Sequence, residues 1–185
     1  MSEPLARYGG LGLAAIAFYA FHAGYYLLVR HEPANVLWAC HVASVLIGLG
    51  LIVGSPTLNA VGFLWLMVGI PLWVIDLATG GELLATSLFT HVGSPIVGAV
   101  GLRRLGLPRG SWAWALVALF ALHVLCRFVT PTRANVNLAH AIWPGWEALF
   151  PSHLAYVAFG FALSGAIFVV SQLLMRRLGL KEQPA

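Results

Sequence analysis

The sequence predicts an all-α polytopic bundle of six transmembrane helices, one domain over residues 1–185, with both termini in the cytoplasm. Three observations carry that expectation. Charged residues make up 9% of the chain, where a water-exposed surface needs roughly a quarter. The mean hydropathy is +0.87. Apolar runs of about 20 residues, the length that crosses a hydrocarbon core of roughly 30 Å, follow one another from end to end. Backbone polar groups in such a chain must be satisfied by helices packed in one bundle.

The first helix is expected near 8–29 and holds His22 about two turns from its far end. "MSEPLARYGG" has no basic n-region leading to a short apolar core and a small-residue cleavage site, so this helix is expected to stay in the mature protein. The second, near 35–53, opens on "NVLWACHVAS", which sets Cys40 beside His41. Cys40 and Ser44 share a face at i and i+4, while His41 points about 100° away. The third, near 58–77, carries Pro71 in "GIPLWVID", expected to kink it and aim Asp76 at the polar end. The fourth, near 83–102, contains "ATSLFTHVGSPIVGAVG". It puts Ser87 and His91 on one face, with Thr90 and Ser94 alongside and Pro95 interrupting the hydrogen-bond ladder just after the histidine. Gly62, Gly69, Gly93 and Gly98 allow close helix packing. The fifth, near 111–129, brings His123, Cys126 and Arg127 to its end. The link from Thr130 to Ser152 is rich in Pro, Asn and Trp, and Trp143 with Trp146 suits a segment at the membrane interface. The sixth helix is expected near 153–175.

A net charge of +4 is not read here as a nucleic-acid surface, because the basic residues sit at helix ends rather than in a stripe. Arg7, Arg103, Arg104, Arg109, Arg176, Arg177 and Lys181 fall on one side of the expected bundle, and Arg30, Arg127 and Arg133 on the other. The positive-inside rule then puts both termini in the cytoplasm; the compact loops would suit a bacterial inner membrane. In that orientation all seven histidines and Glu32, Asp76, Glu82 and Glu147 belong to the outer half. Ionisable groups inside a membrane bundle are expensive and gather at functional cavities, so an outward-opening polar pocket is expected. The plainer alternative is that residues near helix ends are cheap to place there.

Three readings of that pocket follow. A cysteine attacks acyl carbonyls as its thiolate, which needs a base or cation nearby. Cys40 and His91 lie at similar expected depth on different helices and form the leading pair, acting without a cofactor on a membrane lipid or fatty acyl substrate. His41 is a second candidate base. Cys126, beside Arg127 and one turn from His123, is a competing nucleophile, and either cysteine serves equally as a small buried hydrophobe. In the second reading His22, His41, His91 and His123, on four helices, hold a haem axially or a copper or zinc ion. In the third the protein is a non-catalytic subunit that docks a partner through the outer link "AIWPGWEALF".

The ordered elements "WACHVAS", "FLWLMVGIPLWVID", "SLFTHVGSPIVGAVGL" and "ANVNLAHA" ahead of a last helix resemble the bacterial YwaF-type integral membrane proteins over residues 33 to about 175. Relatives of that family include a Cys/His phospholipid acyltransferase and, more distantly, androgen-induced Thr/His lipid hydrolases. The resemblance implies Cys40 as acyl-accepting nucleophile, His91 as base, and Asn137 or Asn135 in the family's asparagine position. With Ser44 or backbone donors, that asparagine would stabilise an oxyanion, a contribution often worth about 3 kcal/mol per donor.

Overall fold

The computed structural model describes residues 3–183, with side chains from Tyr8 onward. Arg7, counted in the charge tally, lies outside the described side chains. The described residues form six helices: α1 Glu3–Tyr25, extended by a π-helical turn over Tyr26–Arg30, α2 Ala39–Val53, α3 Pro56–Ala78, α4 Ala85–Leu105, α5 Ser111–Val129 and α6 His153–Arg177. Five of these are long and apolar enough to cross a membrane, and α2, at 15 residues, is shorter. The distribution of side chains is that of a bundle in lipid. Phe128, Leu28 and Leu154 are 81%, 78% and 77% exposed, while His22, His41, Asn59, Thr90 and His91 are buried. Apolar residues on the outside with polar ones inside is stable only where the surroundings are hydrocarbon.

Local chemistry sets the helix ends. Gly54 adopts φ 70° to close α2, and Ser55 then caps α3 by accepting from the Leu58 amide, with Pro56 in the first turn. Ser152 caps α6 through the Ala155 amide. Gly106, at φ 86°, ends α4 and turns the chain into a short strand, β1 Leu107–Pro108, which pairs in parallel with β2 Glu182–Gln183. The carboxyl-terminal tail is thereby tied to the α4–α5 link.

Helix α3 is central and packs on α2, α4, α5 and α6. Its approach to α2 is close: a Cβ at Gly62 would lie 2.6 Å from the Ala43 carbonyl oxygen. Asn59, fully buried, donates from Nδ2 to the Gly98 carbonyl of α4, and Ser44 Oγ meets Ser94 Oγ at 2.7 Å between α2 and α4. Polar pairs of this kind hold membrane helices together where apolar burial supplies no driving force between them.

Two sequence expectations change in detail. The second helix begins at Ala39 rather than 35, because Pro33–Leu37 forms a 3₁₀ turn and the Asn137 side chain accepts from the Ala39 amide at 2.8 Å, capping the helix there. Cys40 and His41 therefore stand in the first helical turn instead of deeper within it. On α4 the disturbance precedes Pro95 as a π-helical turn over Phe89–Gly93, with His91 inside it. Helix α3 runs on through Pro71.

Candidate functional site

A cavity of ≈ 670 Å³ opens at the end of the bundle where α1, α3 and α5 finish and α2, α4 and α6 begin. Arg30, Glu32, Glu82, Trp143 and Trp146 belong to its lining near the helix ends, and Arg30 reaches Glu82 across the mouth at 3.1 Å. On each long helix the lining runs inward. Trp65 on α3, Leu119 on α5 and Phe168 on α6 are the deepest lining residues of their helices. Between the charged mouth and this apolar floor lie Cys40, His22, His41 and His91.

Hydrogen bonds define the state of the three histidines. His41 Nδ1 is 2.8 Å from the Asn35 carbonyl oxygen and His91 Nδ1 is 2.9 Å from that of Ser87. A carbonyl only accepts, so both Nδ1 atoms carry a proton, and in the neutral rings both Nε2 atoms present a lone pair. His22 Nε2, 3.0 Å from His41 Nε2, then donates to it, and the Thr86 hydroxyl donates to His22 Nδ1 at 2.8 Å. The result is a satisfied chain of neutral groups from α4 through α1 to α2.

His91 differs. Its Nε2 is buried and has no hydrogen-bond partner among the described residues, while its ring is stacked on Trp73 with centroids 4.6 Å apart and planes within 2°. The π-helical turn and the Ser87 carbonyl fix the ring, and Trp73 from α3 covers one face. His91 is thus a rigid neutral base with its lone pair unused. Buried unpaired acceptors are uncommon in native structures; Asn59 Oδ1 and Thr90 Oγ1 share this state, but of the three residues only His91 lines the cavity.

The other expected residues divide. Cys40 lines the cavity and packs against α3, where a Cβ on Gly69 would stand 3.1 Å from its own Cβ. The Cys40 thiol meets the backbone of its neighbour His41 but has no hydrogen bond to a histidine side chain among the described residues, and both cysteines are free. Asp76 lines the cavity near its mouth. Ser44 does not line it, and its hydroxyl is engaged with Ser94. Asn135 adopts φ 43° and folds the outer link, accepting from the His140 and Ala141 amides. Asn137 lines the cavity, but both its amide hydrogens are committed, to the Leu37 carbonyl at 2.9 Å and to Cys126 Sγ at 3.2 Å. Asn137 therefore has no side-chain donor left for an oxyanion, and Asn135, which donates from Nδ2 to the Ala141 carbonyl, does not line the cavity. His123 lines the cavity as well but outside the His22–His41–His91 group, with Nδ1 on the Asn137 carbonyl and its ring edge against Phe161. Among the described residues no three His, Cys, Asp or Glu side chains are grouped to hold a metal ion.

No family model, curated protein or solved structure matches this chain. Its chemistry is therefore read from the cavity alone. Sequence reasoning missed Trp73 and Thr86, which hold His91 and His22. Their partnership depends on how α3, α1 and α4 pack, and the residues concerned are ordinary in apolar helices.

Proposed function

We propose that the protein is an intramembrane acyl-transfer enzyme acting on lipid esters or fatty acyl groups, with His91 as general base and Cys40 as nucleophile. The observation that carries this reading is the unpartnered Nε2 of His91, buried on the wall of a cavity that Cys40 also lines. Attack needs the thiolate, and a thiol in an apolar cavity does not ionise unaided. In the proposed reaction His91 Nε2 takes the proton from Cys40 Sγ, and the sulfur adds to the ester carbonyl. The alkoxide leaves with the proton from His91, and an acyl thioester remains. An alcohol or water, deprotonated in turn by His91, then releases the acyl group and restores the thiol. Cys40 occupies the first turn of α2, where the helix dipole favours negative charge on its sulfur. An aqueous mouth facing outside the cytoplasm, as expected from the basic residues at the opposite end, would admit substrate from the outer leaflet.

Intact-protein mass spectrometry tests the proposal. Wild type and Cys126→Ala, incubated with a lipid extract, are expected to carry an acyl mass removed by neutral hydroxylamine. Cys40→Ala is expected to carry none. His91→Ala is expected to acylate about 10²–10⁴ times more slowly, the usual loss on removing a general base. An adduct that persists in Cys40→Ala would refute the nucleophile assignment.

A second reading has one observation in its favour. Two nitrogens 3.0 Å apart, as His22 Nε2 and His41 Nε2 are, are spaced like neighbouring ligands of one copper or zinc ion as well as like a hydrogen-bonded pair. The other nitrogen of each ring is held by an oxygen, as second-shell partners hold a histidine ligand. Elemental analysis decides: metal bound stoichiometrically to wild type and lost from His22→Ala supports this reading, and metal-free active protein ends it.

A further inference from the structure

Charge is shared unevenly between the cavity and the rest of the chain. Among the described residues, three of the six acids line it, Glu32, Asp76 and Glu82, but only Arg30 of the ten basic residues, in a protein of net charge +4. Arg30 bonds Glu82 and lies close enough to Glu32 for the two charges to interact. Asp76 is left over, because no basic side chain pairs with it among the described residues.

Asp76 also stands where a carboxylate is unwelcome. It lies two residues before the end of α3 at Ala78, and the negative end of the helix dipole disfavours an anion there. Acids in a membrane bundle are normally paired or mark a site. The backbone nonetheless makes room for this one: a Cβ at Gly81 would collide with Asp76 Oδ2.

Trp73 precedes Asp76 by three residues on the same side of α3, so the ring that stacks on His91 stands beside the carboxylate, one turn deeper. The polar groups that flank Trp73 are the Asp76 carboxylate and the unpartnered Nε2 of His91, a residue only 4% exposed. Both are acceptors. The surface around them is aromatic: five of the seven tryptophans line the cavity, and Tyr26 lies within range of the Asp76 charge. Acceptors and ring faces with no free cation of their own complement one kind of group, a positively charged nitrogen that carries N–H donors.

We infer that the cavity binds a protonated organic amine, with Asp76 as its counter-ion and His91 Nε2 as a second acceptor. The apolar body of the ligand rests on the tryptophan-rich wall. The inference stands apart from the acyl-transfer reading, since it needs neither the Cys40 thiol nor an acyl chain. Where that reading also holds, the amine competes with its chemistry by occupying the His91 lone pair.

Isothermal titration calorimetry in dodecyl maltoside, against a micelle blank, compares three probes of similar shape: phenethylammonium, phenethyl alcohol and hydrocinnamate. Wild type is expected to bind the ammonium about tenfold or more tighter than the alcohol, as a charged hydrogen bond would give, and not to bind the carboxylate. In Asp76→Asn the ammonium's affinity is expected to fall to within about twofold of the alcohol's, with the alcohol's unchanged, and Asp76→Glu is expected to restore part of the preference. Without ligand, Asp76→Asn is expected to unfold at the same temperature as wild type or slightly higher, because it removes a charge from the negative end of α3. That separates loss of the site from loss of the fold. Dihexanoylphosphatidylethanolamine, a short lipid with a primary amine, serves as competitor: displacement of the probe assigns the amine to a lipid headgroup, and no displacement assigns it to a soluble amine. If wild type does not prefer the ammonium, or if Asp76→Asn binds it as wild type does, the inference is overturned, whether or not Cys40 is ever acylated.

Discussion

Asn137 joins three segments through one amide. It accepts from Ala39 at the start of α2, donates to Leu37 just before it, and donates to Cys126 near the end of α5. Its φ of 52° is one that asparagine tolerates better than most residues. Replacing it with alanine strands the Ala39 amide and the Leu37 carbonyl in a partly buried place, each costly to leave unpaired. Asn137→Ala is expected to destabilise the protein by about 1–3 kcal/mol, read as a lowered unfolding midpoint in detergent, and to slow acylation by shifting Cys40. Asn137→Asp, which keeps the acceptor toward Ala39 but loses both donors, is expected to fall between alanine and wild type. The sequence marked this asparagine as important through its resemblance, in the role of an oxyanion donor. Its position makes it a strut for the start of α2, which carries Cys40, because both hydrogens are already used. His91 was legible as a candidate from its depth and its neighbour Pro95. Its unpaired Nε2 was not, since that depends on Ser87 and Trp73 engaging the rest of the ring.

Among the elements, the α2–α3 pair shows how glycine acts in this bundle. At Gly62 the two backbones come so close that a methyl group would press on the Ala43 carbonyl. Gly62→Ala is expected to cost about 1–3 kcal/mol through overpacking. Gly160→Ala should be neutral or slightly stabilising, since the methyl enters open cavity and alanine is the better helix former. The two variants compared by thermal unfolding separate a packing glycine from a cavity glycine on one scale. Helix lengths were largely legible, because hydrophobic runs of membrane length leave few choices. The exception is the start of α2. It depends on Asn137, almost a hundred residues away in the chain, and no local pattern announces a cap brought from so far.

At the scale of the molecule, the bundle has a charged, aromatic mouth at one end and a basic, strand-clasped face at the other. Arg176 and Arg109 both pair with Glu182, tying α6 and the α4–α5 link to the tail. These pairs are partly exposed, so Glu182→Ala is expected to cost at most about 1 kcal/mol, a shift of a few degrees in unfolding temperature. The topology proposed from the arginine distribution makes a sharper prediction. In a background of Cys40→Ala and Cys126→Ala, a membrane-impermeant maleimide added to intact cells should label Glu147→Cys, and should label Lys181→Cys only after lysis. The reverse pattern would invert the orientation.

By itself the sequence determined the solvent, the class and the helix count. A chain with so few charges and such regular apolar runs has no other way to satisfy its backbone in hydrocarbon. It also determined that the histidines gather near one end, because the helix directions alternate. Only the tertiary structure decided which of them meet. His22 and His41 bond to each other, His123 lines the cavity but bonds to the outer link, and His91 keeps an unused lone pair. The reason is that depth along a helix follows from residue number, whereas the direction a side chain faces, and the partner it finds there, follow from the rotation and contact of packed helices.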